Sequence, residues 1–280
     1  MPNSDASTDA TWSLVDFTTT NTNAEMVADL LWRVGVVAIE EIVSDGSRTT
    51  LRTSMGKDPD PVIGVITSEW PDVEVQRVEI ARSVADTWRE HAVPTHVVDD
   101  VWLVPAWVGA PNDSRSILLE PLDTFGLGNH PTTVLALRLA LAHCDLTDTV
   151  FDLGCGSGVL AIAATKLRGA SCEVYDIADN AKAAVELNAG LNGVGIPSWS
   201  HERPRSPVRT LFANILAPVL IDLAPTILES TTSGGSIVLS GMRTEQVQRV
   251  VERFTDTREV GRAEMDGWTA VVLRRPATRT

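Results

Sequence analysis

The sequence predicts an α/β protein in which a mostly parallel β-sheet carries helices on both faces, preceded by a smaller α+β unit. Helix and strand patterns alternate from residue 131 to the end of the chain, which is typical of such sheets. A glycine-rich turn follows a buried-strand pattern at residue 150, whereas residues 1–80 are rich in strand patterns. The length of 280 residues allows two domains, which we place at 1–80 and 97–280, with a connector helix or linker at 81–96.

The first predicted domain follows a β-α-β-β-α-β order, which is the order of a split β-α-β or ferredoxin-like unit. Alternating apolar residues indicate its strands, and apolar residues spaced three and four apart indicate its first helix. The apolar run at 61–69 is too short to distinguish a helix from a strand. The predicted strands are 12–17, 36–43, 49–55 and 73–80, and the predicted helix is 23–34.

The second predicted domain opens with short strands and then alternates between helices and strands. Its last two strands, joined at Asp266-Gly267, are expected to form an antiparallel hairpin at one edge of the sheet. The expected strands are 97–107, 116–120, 149–153, 171–176, 208–213, 235–240, 258–264 and 267–274, and the expected helices are 131–143, 158–168, 179–192, 217–229 and 243–254.

Composition argues against several functional classes. Hydrophobic residues make up 44% of the chain, and no apolar run reaches the length of a membrane span. Cys144, Cys155 and Cys172 show neither a disulfide framework nor a metal-ligand spacing, and we predict no metal. The polar N-terminus lacks a signal-peptide core, so we expect a cytoplasmic protein. A formal net charge of -14 disfavours a general affinity for nucleic acid and favours basic partners.

The most informative stretch is VFDLGCGSGVLA, which begins at residue 150 and has the pattern of a strand, a glycine-rich turn and the first turn of a helix. Gly154, Gly156 and Gly158 allow a sharp turn in which a ligand meets bare main chain and the first amides of the helix. Asp152 lies at the end of the strand, before the first glycine. Asp176 ends the next strand, where a carboxylate accepts hydrogen bonds from both hydroxyls of a ribose. Together these features predict a nucleoside-cofactor site.

Two cofactor classes fit this turn. The spacing Gly156-x-Gly158-x-x-Ala161 satisfies the loose dinucleotide fingerprint, which is a weak signal when it stands alone. The charge of Asp152 repels a pyrophosphate but suits the ammonium and sulfonium of S-adenosylmethionine. The chain also carries only one nucleotide-binding half, whereas a dinucleotide fold uses two. We therefore favour S-adenosylmethionine over NAD.

Two further motifs contain candidate site residues. The loop FGLGNHPTT at 125–133 precedes the first strand of the main sheet, and Thr133 falls near the start of the following helix. His130 either contacts substrate, orients this loop, or has a purely structural role. Asn214 ends a strand, where its amide offers one acceptor and two donors. It either holds an attacking amine, contacts the cofactor, or caps the next helix.

With these motifs in this order, the chain resembles the ribosomal protein L11 methyltransferases (PrmA), which are class I enzymes that use S-adenosylmethionine. The resemblance lies in FGLGNHPTT, DLGCGSGVLAIAA and ANILAP and covers most of residues 100–275. It implies a Rossmann-like methyltransferase domain and a substrate-recognition role for the N-terminal domain. It also implies methylation of lysine ε-amines and of the N-terminal α-amine of a basic ribosomal protein. We expect a monomer that binds neither nucleic acid nor membranes directly.

The resemblance also assigns roles to individual residues. Positions that match the family's cofactor contacts are Thr133, Gly154, Asp176 and Asn214. For methyl transfer itself we expect three catalytic residues that line the reaction pocket, namely Phe125, His130 and Asn214. The complete set of expected cofactor-binding residues is Thr133, Asp152, Gly154, Gly156, Gly158, Asp176 and Asn214.

The chain departs from the family pattern in three places. Leu127 stands where the family loop usually has threonine. The segment 195–207 is short, contains three prolines and shows no clear strand pattern, where the family has a longer stretch near the adenine. Arg209 and Thr210 stand near the position of a usual acidic residue. Either Trp199 rebuilds adenine binding by stacking, or the chain is an impaired cofactor-binding homologue. A methyltransferase for another protein or a small amine is the remaining alternative.

Overall fold

The computed structural model describes residues 11–33, 36, 39–43, 46–54, 59–81, 92–120, 122 and 128–277. Contacts within the chain divide it into two compact units, Met1–Ala92 and Val93–Thr280. The domain boundaries expected at residues 80 and 97 lie on either side of this division. Residues 82–91 of the expected connector helix fall outside the described residues.

The described residues of the first unit form a four-stranded antiparallel sheet and two helices. Its elements are β1 (Thr11–Thr20), α1 (Asn21–Arg33), β2 (Ile39–Val43), β3 (Arg48–Thr53), α2 (Asp60–Glu69) and β4 (Glu74–Ala81). This chain order agrees with the sequence prediction, and the spatial order of the strands is β2-β3-β1-β4. The apolar run that the sequence left open between helix and strand is the helix α2. The assignment to the ferredoxin-like class stays a prediction.

Helix α1 covers the core of the first unit. Val27 and Leu31 lie four residues apart on one face of the helix and are fully buried. They belong to one cluster with Phe17 of β1, Leu51 of β3 and Ile66 of α2. Burial of an apolar stripe with helical spacing explains why this segment folds as an amphipathic helix against the sheet.

The second unit begins with a small three-stranded sheet. Its strands are β5 (Thr95–Val98), β6 (Val101–Pro105) and β7 (Arg115–Leu119). β5 and β6 are antiparallel, whereas β6 and β7 are parallel. The single strand expected at 97–107 is therefore wrong, because Asp99 takes a left-handed conformation with a φ of 48° and turns the chain between two strands.

The main body of the second unit is a seven-stranded sheet. Its strands are β8 (Thr149–Leu153), β9 (Ser171–Tyr175), β10 (Ser198–Trp199), β11 (Val208–Asn214), β12 (Thr231–Arg243), β13 (Arg258–Met265) and β14 (Trp268–Arg274). The spatial order is β10-β9-β8-β11-β12-β14-β13. The first five strands in this order are parallel to one another. β14 is antiparallel to β12, and β13 is antiparallel to β14.

The two ends of this sheet test two sequence predictions. The expected hairpin at Asp266-Gly267 is confirmed, and both turn residues have the positive φ that a tight two-residue hairpin requires. The segment 195–207 showed no clear strand pattern in the sequence, but β10 lies in it and pairs in parallel with β9. A strand of two residues is too short for an alternating pattern to reveal it.

Helices cover both faces of the main sheet. They are α3 (Pro131–His143), α4 (Val159–Arg168), α5 (Ala181–Asn192), α6 (Ala217–Glu229) and α7 (Val247–Val251), with a 3-10 turn at Thr244–Gln246. Phe212 packs into the core with α3, α4 and α5, whereas its neighbours Leu211 and Ala213 pack into the core with α6 and α7. Successive residues of β11 thus face opposite layers, as the predicted doubly covered sheet requires. None of the helices in the described part of the chain is long and apolar enough to cross a membrane.

Candidate functional site

Three neighbouring parallel strands end at the same edge of the main sheet. β8 lies between β9 and β11 and is paired with both of them up to Leu153. Asp152, Asp176 and Asn214 lie at or directly beyond these strand ends. Ligands in sheets of this type bind outside the carboxyl ends of the strands. The structure therefore brings together polar residues that the sequence separates by up to 62 positions.

The turn between β8 and α4 has a backbone conformation that favours glycine. Gly154, Gly156 and Gly158 have φ values of 73°, 50° and 77°. A β-carbon on Gly154 would stand 2.3 Å from the side chain of Ile215, and one on Gly158 would stand 2.9 Å from the side chain of Val185. The bare main chain of this turn is therefore packed closely against its surroundings, and a side chain at either position would force it to move.

Asp176 lies directly after β9 and holds the glycine-rich turn. Its carboxylate accepts a hydrogen bond from the main-chain N–H of Gly156 at 2.8 Å and another from that of Ala178 at 2.8 Å. The residue is half-buried. Each carboxylate oxygen has a second lone pair, so these two bonds leave acceptor capacity for a ligand. The ribose contact expected from the sequence stays a prediction, and the structure adds a role in shaping the turn.

Asp152 is buried between β8 and the first turn of α4. Only 1% of the residue is exposed, and one carboxylate oxygen accepts a hydrogen bond from the main-chain N–H of Ala161 at 3.2 Å. The other oxygen has no hydrogen-bond partner among the described residues. Burial, together with the nearby charge of Asp176, raises the pKa of Asp152 to about 7. Two carboxyl groups thus share a confined region, which a cationic ligand would stabilise.

Cys155 lies in the same turn and is 5% exposed. Burial raises the pKa of this thiol well above its ordinary value, and the charges of Asp152 and Asp176 add to the effect. The protonated thiol is a poor nucleophile, so packing accounts for Cys155 better than thiol chemistry does.

Thr133 and Asn214 connect the start of α3 to the end of β11. The amide nitrogen of Asn214 donates to the hydroxyl of the fully buried Thr133 at 3.4 Å. The amide oxygen of Asn214 is buried and has no hydrogen-bond partner among the described residues. Next to them, the hydroxyl of Ser240 donates to the main-chain oxygen of Thr132 at 2.9 Å and ties β12 to α3. A buried acceptor that lacks a donor is costly, and it is available to an N–H group of a ligand.

His130 caps the N-terminus of α3. Its Nδ1 accepts from the main-chain N–H of Thr132 at 3.3 Å and lies 2.8 Å from the hydroxyl of the same residue. Burial lowers the pKa of His130, and the positive charge of Arg243 lowers it further. The ring is therefore neutral at neutral pH. This capping role is one of the alternatives that the sequence left open, and the substrate contact stays a prediction.

Two side chains that the sequence did not identify surround His130. The ring of Trp268 meets the His130 ring edge to face, with 5.0 Å between their centroids. The guanidinium of Arg243 lies 4.1 Å from the centre of the Trp268 ring. Arg243 and Trp268 are partners across β12 and β14, so only knowledge of this strand register would have revealed the group.

A second group missed by the sequence analysis lies beyond β9. Ile177 directly follows Asp176 and is 89% exposed, which is unusual for a large aliphatic residue beside a polar site. Near the end of β9 a cavity of about 390 Å³ is lined by Tyr175, His201, Glu202 and Arg203. An apolar side chain at a strand end carries no pattern of its own, so this surface was not predictable.

Four further residues were named from the sequence. Phe125 and Leu127 fall outside the described residues, so the catalytic role of Phe125 stays a prediction. Trp199 in β10 packs half-buried against the main core. The buried Thr210 donates to the main-chain oxygen of Asp145 at 3.0 Å, so a packing role explains the residue at that position.

Comparison with known proteins decides the family. A family model described as "Ribosomal protein L11 methyltransferase (PrmA)" matches residues 63–276. A ribosomal protein L11 methyltransferase from Escherichia coli O8 (strain IAI1) is 33% identical over 277 residues, which cover 88% of this chain and 92% of the relative. One from Pseudomonas paraeruginosa (strain PA7) is 31% identical and covers 95% of this chain and 99% of the relative.

This chain belongs to the ribosomal protein L11 methyltransferase family. It is an S-adenosylmethionine-dependent protein methyltransferase with a Rossmann-like fold. A crystal structure of a ribosomal protein L11 methylase from Lactobacillus delbrueckii subsp. bulgaricus matches it with a TM-score of 0.59 and 28% sequence identity. The match covers 66% of this chain and all of that chain. The family and the fold inferred from the sequence are thereby confirmed.

The residues at the strand ends fit the cofactor of this methyltransferase family. S-adenosylmethionine carries an ammonium, a cationic sulfonium and a ribose with two hydroxyls. Asp152 contributes a buried acceptor oxygen without a partner among the described residues. Asp176 retains lone pairs at the end of β9, and the glycine-rich turn leaves its main chain bare. The strand ends therefore offer mainly hydrogen-bond acceptors and negative charge, which suit the cationic groups and the ribose hydroxyls of S-adenosylmethionine.

Proposed function

We propose that this chain transfers methyl groups from S-adenosylmethionine to lysine ε-amines, the N-terminal α-amine, or both, of ribosomal protein L11. The acceptor protein is the one named in the relatives. The observation that carries the amine assignment is the buried amide oxygen of Asn214, which lacks a hydrogen-bond partner among the described residues. An amine offers the N–H donor that this oxygen needs, and it keeps its lone pair for the reaction.

We assign the cofactor to the edge of the sheet formed by β9, β8 and β11. Asp176 accepts hydrogen bonds from the ribose hydroxyls, and the turn from Gly154 to Gly158 contacts the cofactor through main-chain groups. Asp152 balances the charge of the cationic end, and Thr133, which also holds Asn214, borders the cofactor with its neutral hydroxyl. Ile177 supplies an exposed apolar surface beside Asp176 that fits the face of an adenine ring.

When bound, S-adenosylmethionine supplies an electrophilic methyl group whose reactivity comes from the positive sulfonium. The protein therefore needs to position the amine and to exclude water. Asn214 accepts one N–H of the amine and orients its lone pair. Its own amide nitrogen is held by Thr133, which fixes the direction of the amide oxygen. His130, and Phe125 by sequence alone, line the same pocket.

The amine must be neutral before it reacts. An unperturbed lysine has a pKa of about 10.4, so most of its population is protonated at neutral pH. A partly dry pocket that contains a cation lowers the pKa of an incoming amine. The neutral His130 and the nearby Arg243 add no negative charge that would favour an ammonium. We assign no residue as a dedicated base and propose that water accepts the proton that the amine loses.

We assign recognition of the ribosomal protein to the first unit, residues 1–80 in the sequence prediction. The net charge of -14 complements a basic acceptor protein and disfavours direct binding of nucleic acid. We further propose that the protein acts as a monomer in the cytoplasm.

The test is incubation of the protein with isotope-labelled S-adenosylmethionine and the proteins of a large ribosomal subunit, followed by mass spectrometry. We expect labelled methyl groups on amines of ribosomal protein L11 and on no other protein. The matched control is ribosomal protein L11 whose amines have been acetylated, which should accept no label. Transfer to other proteins, or to acetylated ribosomal protein L11, would contradict the proposal.

A further inference from the structure

Two asparagines of α5 bond to the main chain at the end of β7, one to the strand itself and one to Glu120 directly after it, as a neighbouring strand would. The amide oxygen of Asn188 accepts from the main-chain N–H of Glu120 at 2.7 Å, and its nitrogen donates to the main-chain oxygen of Glu120 at 2.9 Å. Asn192 bonds the N–H of Leu118 at 2.9 Å and its oxygen at 2.7 Å in the same way. Both asparagines are buried, with 0% and 7% exposed. One turn of helix separates them, so they match alternate residues of the strand.

The two asparagines differ in their remaining contacts. The amide nitrogen of Asn188 also donates to the main-chain oxygen of Ser157 at 2.9 Å, and Ser157 lies within the glycine-rich turn. The amide nitrogen of Asn192 instead donates to the main-chain oxygen of Asn188 in its own helix at 2.8 Å. The amide oxygen of Asn192 also accepts from the ammonium of Lys166 at 3.1 Å. Of this pair, only Asn188 joins the glycine-rich turn to the main chain at the end of β7, through Glu120.

A second contact shows that α5 forms a support for the turn. Val185 lies one turn before Asn188, and its methyl group would stand 2.9 Å from a β-carbon on Gly158. Ser157 and Val185 are 0% and 1% exposed. The polar contact of Asn188 with Ser157 and the apolar contact of Val185 with Gly158 therefore support successive residues of the turn. A shift of α5 or a loss of either contact would let the turn relax toward the helix.

We propose that Asn188 is a positioning residue that holds the glycine-rich turn in the conformation that binds S-adenosylmethionine, whereas Asn192 only fastens β7 to α5. This inference rests on the cofactor site proposed above. Asn188 donates to the main-chain oxygen of the buried Ser157, so the loss of this amide breaks the hydrogen bond that ties the turn to α5. The turn can then shift relative to α5, and the main-chain groups that face the cofactor move with it.

Asn188→Ala and Asn192→Ala form a matched pair for the test. Each removes one asparagine with two bonds to the main chain of Leu118 or Glu120, so we expect similar losses of melting temperature. We expect Asn188→Ala to weaken S-adenosylmethionine binding about tenfold in calorimetry, and Asn192→Ala to keep an affinity within about twofold of the native protein. Equal affinities for the two variants would overturn the inference. A native protein that binds no S-adenosylmethionine would contradict the proposed cofactor site itself.

Asn188→Asp keeps the test valid if the alanine variant fails to fold. The carboxyl group has the same shape and still accepts from Glu120, but when ionised it repels the oxygen of Ser157 instead of donating to it. Its affinity for S-adenosylmethionine, relative to the native protein at each pH, should rise as the pH falls and the acid regains a proton to donate. A relative affinity that stays constant with pH and close to the native value would overturn the inference.

Discussion

The β9 side of the site is made of main chain and two carboxylates, whereas the β12 side is made of side chains from distant parts of the sequence. On the first side, which we call the cofactor side, Asp152, Asp176 and the turn Gly154–Gly158 bond to one another or to main chain. On the second, which we call the acceptor side, the members are His130, Thr133, Asn214, Arg243 and Trp268.

This difference separates a general task from a specific one. The cofactor side presents bare main chain and negative charge, which suit a cationic nucleoside whatever the methyl acceptor is. The acceptor side presents an amide oxygen and aromatic rings, which decide what can approach the methyl group. We therefore expect substitutions on the cofactor side to change stability and cofactor affinity, and substitutions on the acceptor side to change turnover.

The largest expected effect is that of Asp152→Asn on stability. Burial raises the pKa of Asp152 from 3.8 to about 7, so the native protein loses stability as the pH rises through this range. Asparagine at position 152 does not ionise, so the variant avoids this loss of stability. We expect the free energy of unfolding at pH 8 to exceed that of the native protein by up to about 4 kcal/mol, with near equality at pH 4. Denaturant unfolding without cofactor at both pH values measures it.

The control for this substitution is Asp179→Asn, which changes an exposed carboxylate four residues from the end of β9. It should follow the stability of the native protein at both pH values. A constant difference between native protein and Asp152→Asn from pH 4 to pH 8 would contradict the buried-charge interpretation.

Asp176→Ala should give the next largest effect. The substitution removes the proposed acceptor of the ribose hydroxyls and the two bonds that shape the turn. We expect S-adenosylmethionine binding to weaken by about 2 kcal/mol or more, which is roughly thirtyfold in the dissociation constant. Isothermal titration calorimetry measures the change, and Asp179→Ala serves as the matched exposed variant. Unchanged affinity in Asp176→Ala would remove this residue from the cofactor side.

Asn214→Ala tests the acceptor side. Loss of the amide oxygen removes the group that orients the amine, so kcat should fall about tenfold or more. The affinity for S-adenosylmethionine should change less than it does in Asp176→Ala. Single-turnover methylation of ribosomal protein L11, together with calorimetry, separates the two quantities. A loss confined to cofactor affinity would move Asn214 to the cofactor side.

Arg243→Gln should give the smallest effect. It removes the positive charge that lowers the pKa of His130, so that pKa should rise. Burial, the larger cause, persists and keeps the pKa below the ordinary value. NMR titration of the histidine ring measures the change. Arg258→Gln, an exposed position on β13, should leave the His130 titration unchanged, and an equal rise in both variants would contradict a local effect.

The cofactor side was predictable because short-range rules govern it. A strand, three glycines with positive φ and a carboxylate at the next strand end lie within 28 residues, so their spacing alone revealed the site. The sequence did not show that Asp176 bonds to Gly156, because both the ribose and the turn offer suitable donors. It also did not show that Asp152 is buried beneath the turn.

The acceptor side was only partly predictable because it depends on strand register. His130 and Asn214 stood out through their motifs, but Trp268 meets His130 across 138 residues of sequence. The pairing of Trp268 with Arg243 requires β14 to lie between β12 and β13, which alternation does not determine. Strand β10 was not predictable either, because its two residues are a strand only through their pairing with β9.

A crystal structure of the protein with S-adenosylhomocysteine tests the central claim most directly, since this product keeps the ribose and the amino-acid end of the cofactor. We predict both ribose hydroxyls within about 3.2 Å of the Asp176 carboxylate and the ligand in contact with the main chain of Gly154–Gly158. A ligand bound elsewhere, or an Asp176 carboxylate that still bonds only Gly156 and Ala178, would contradict it.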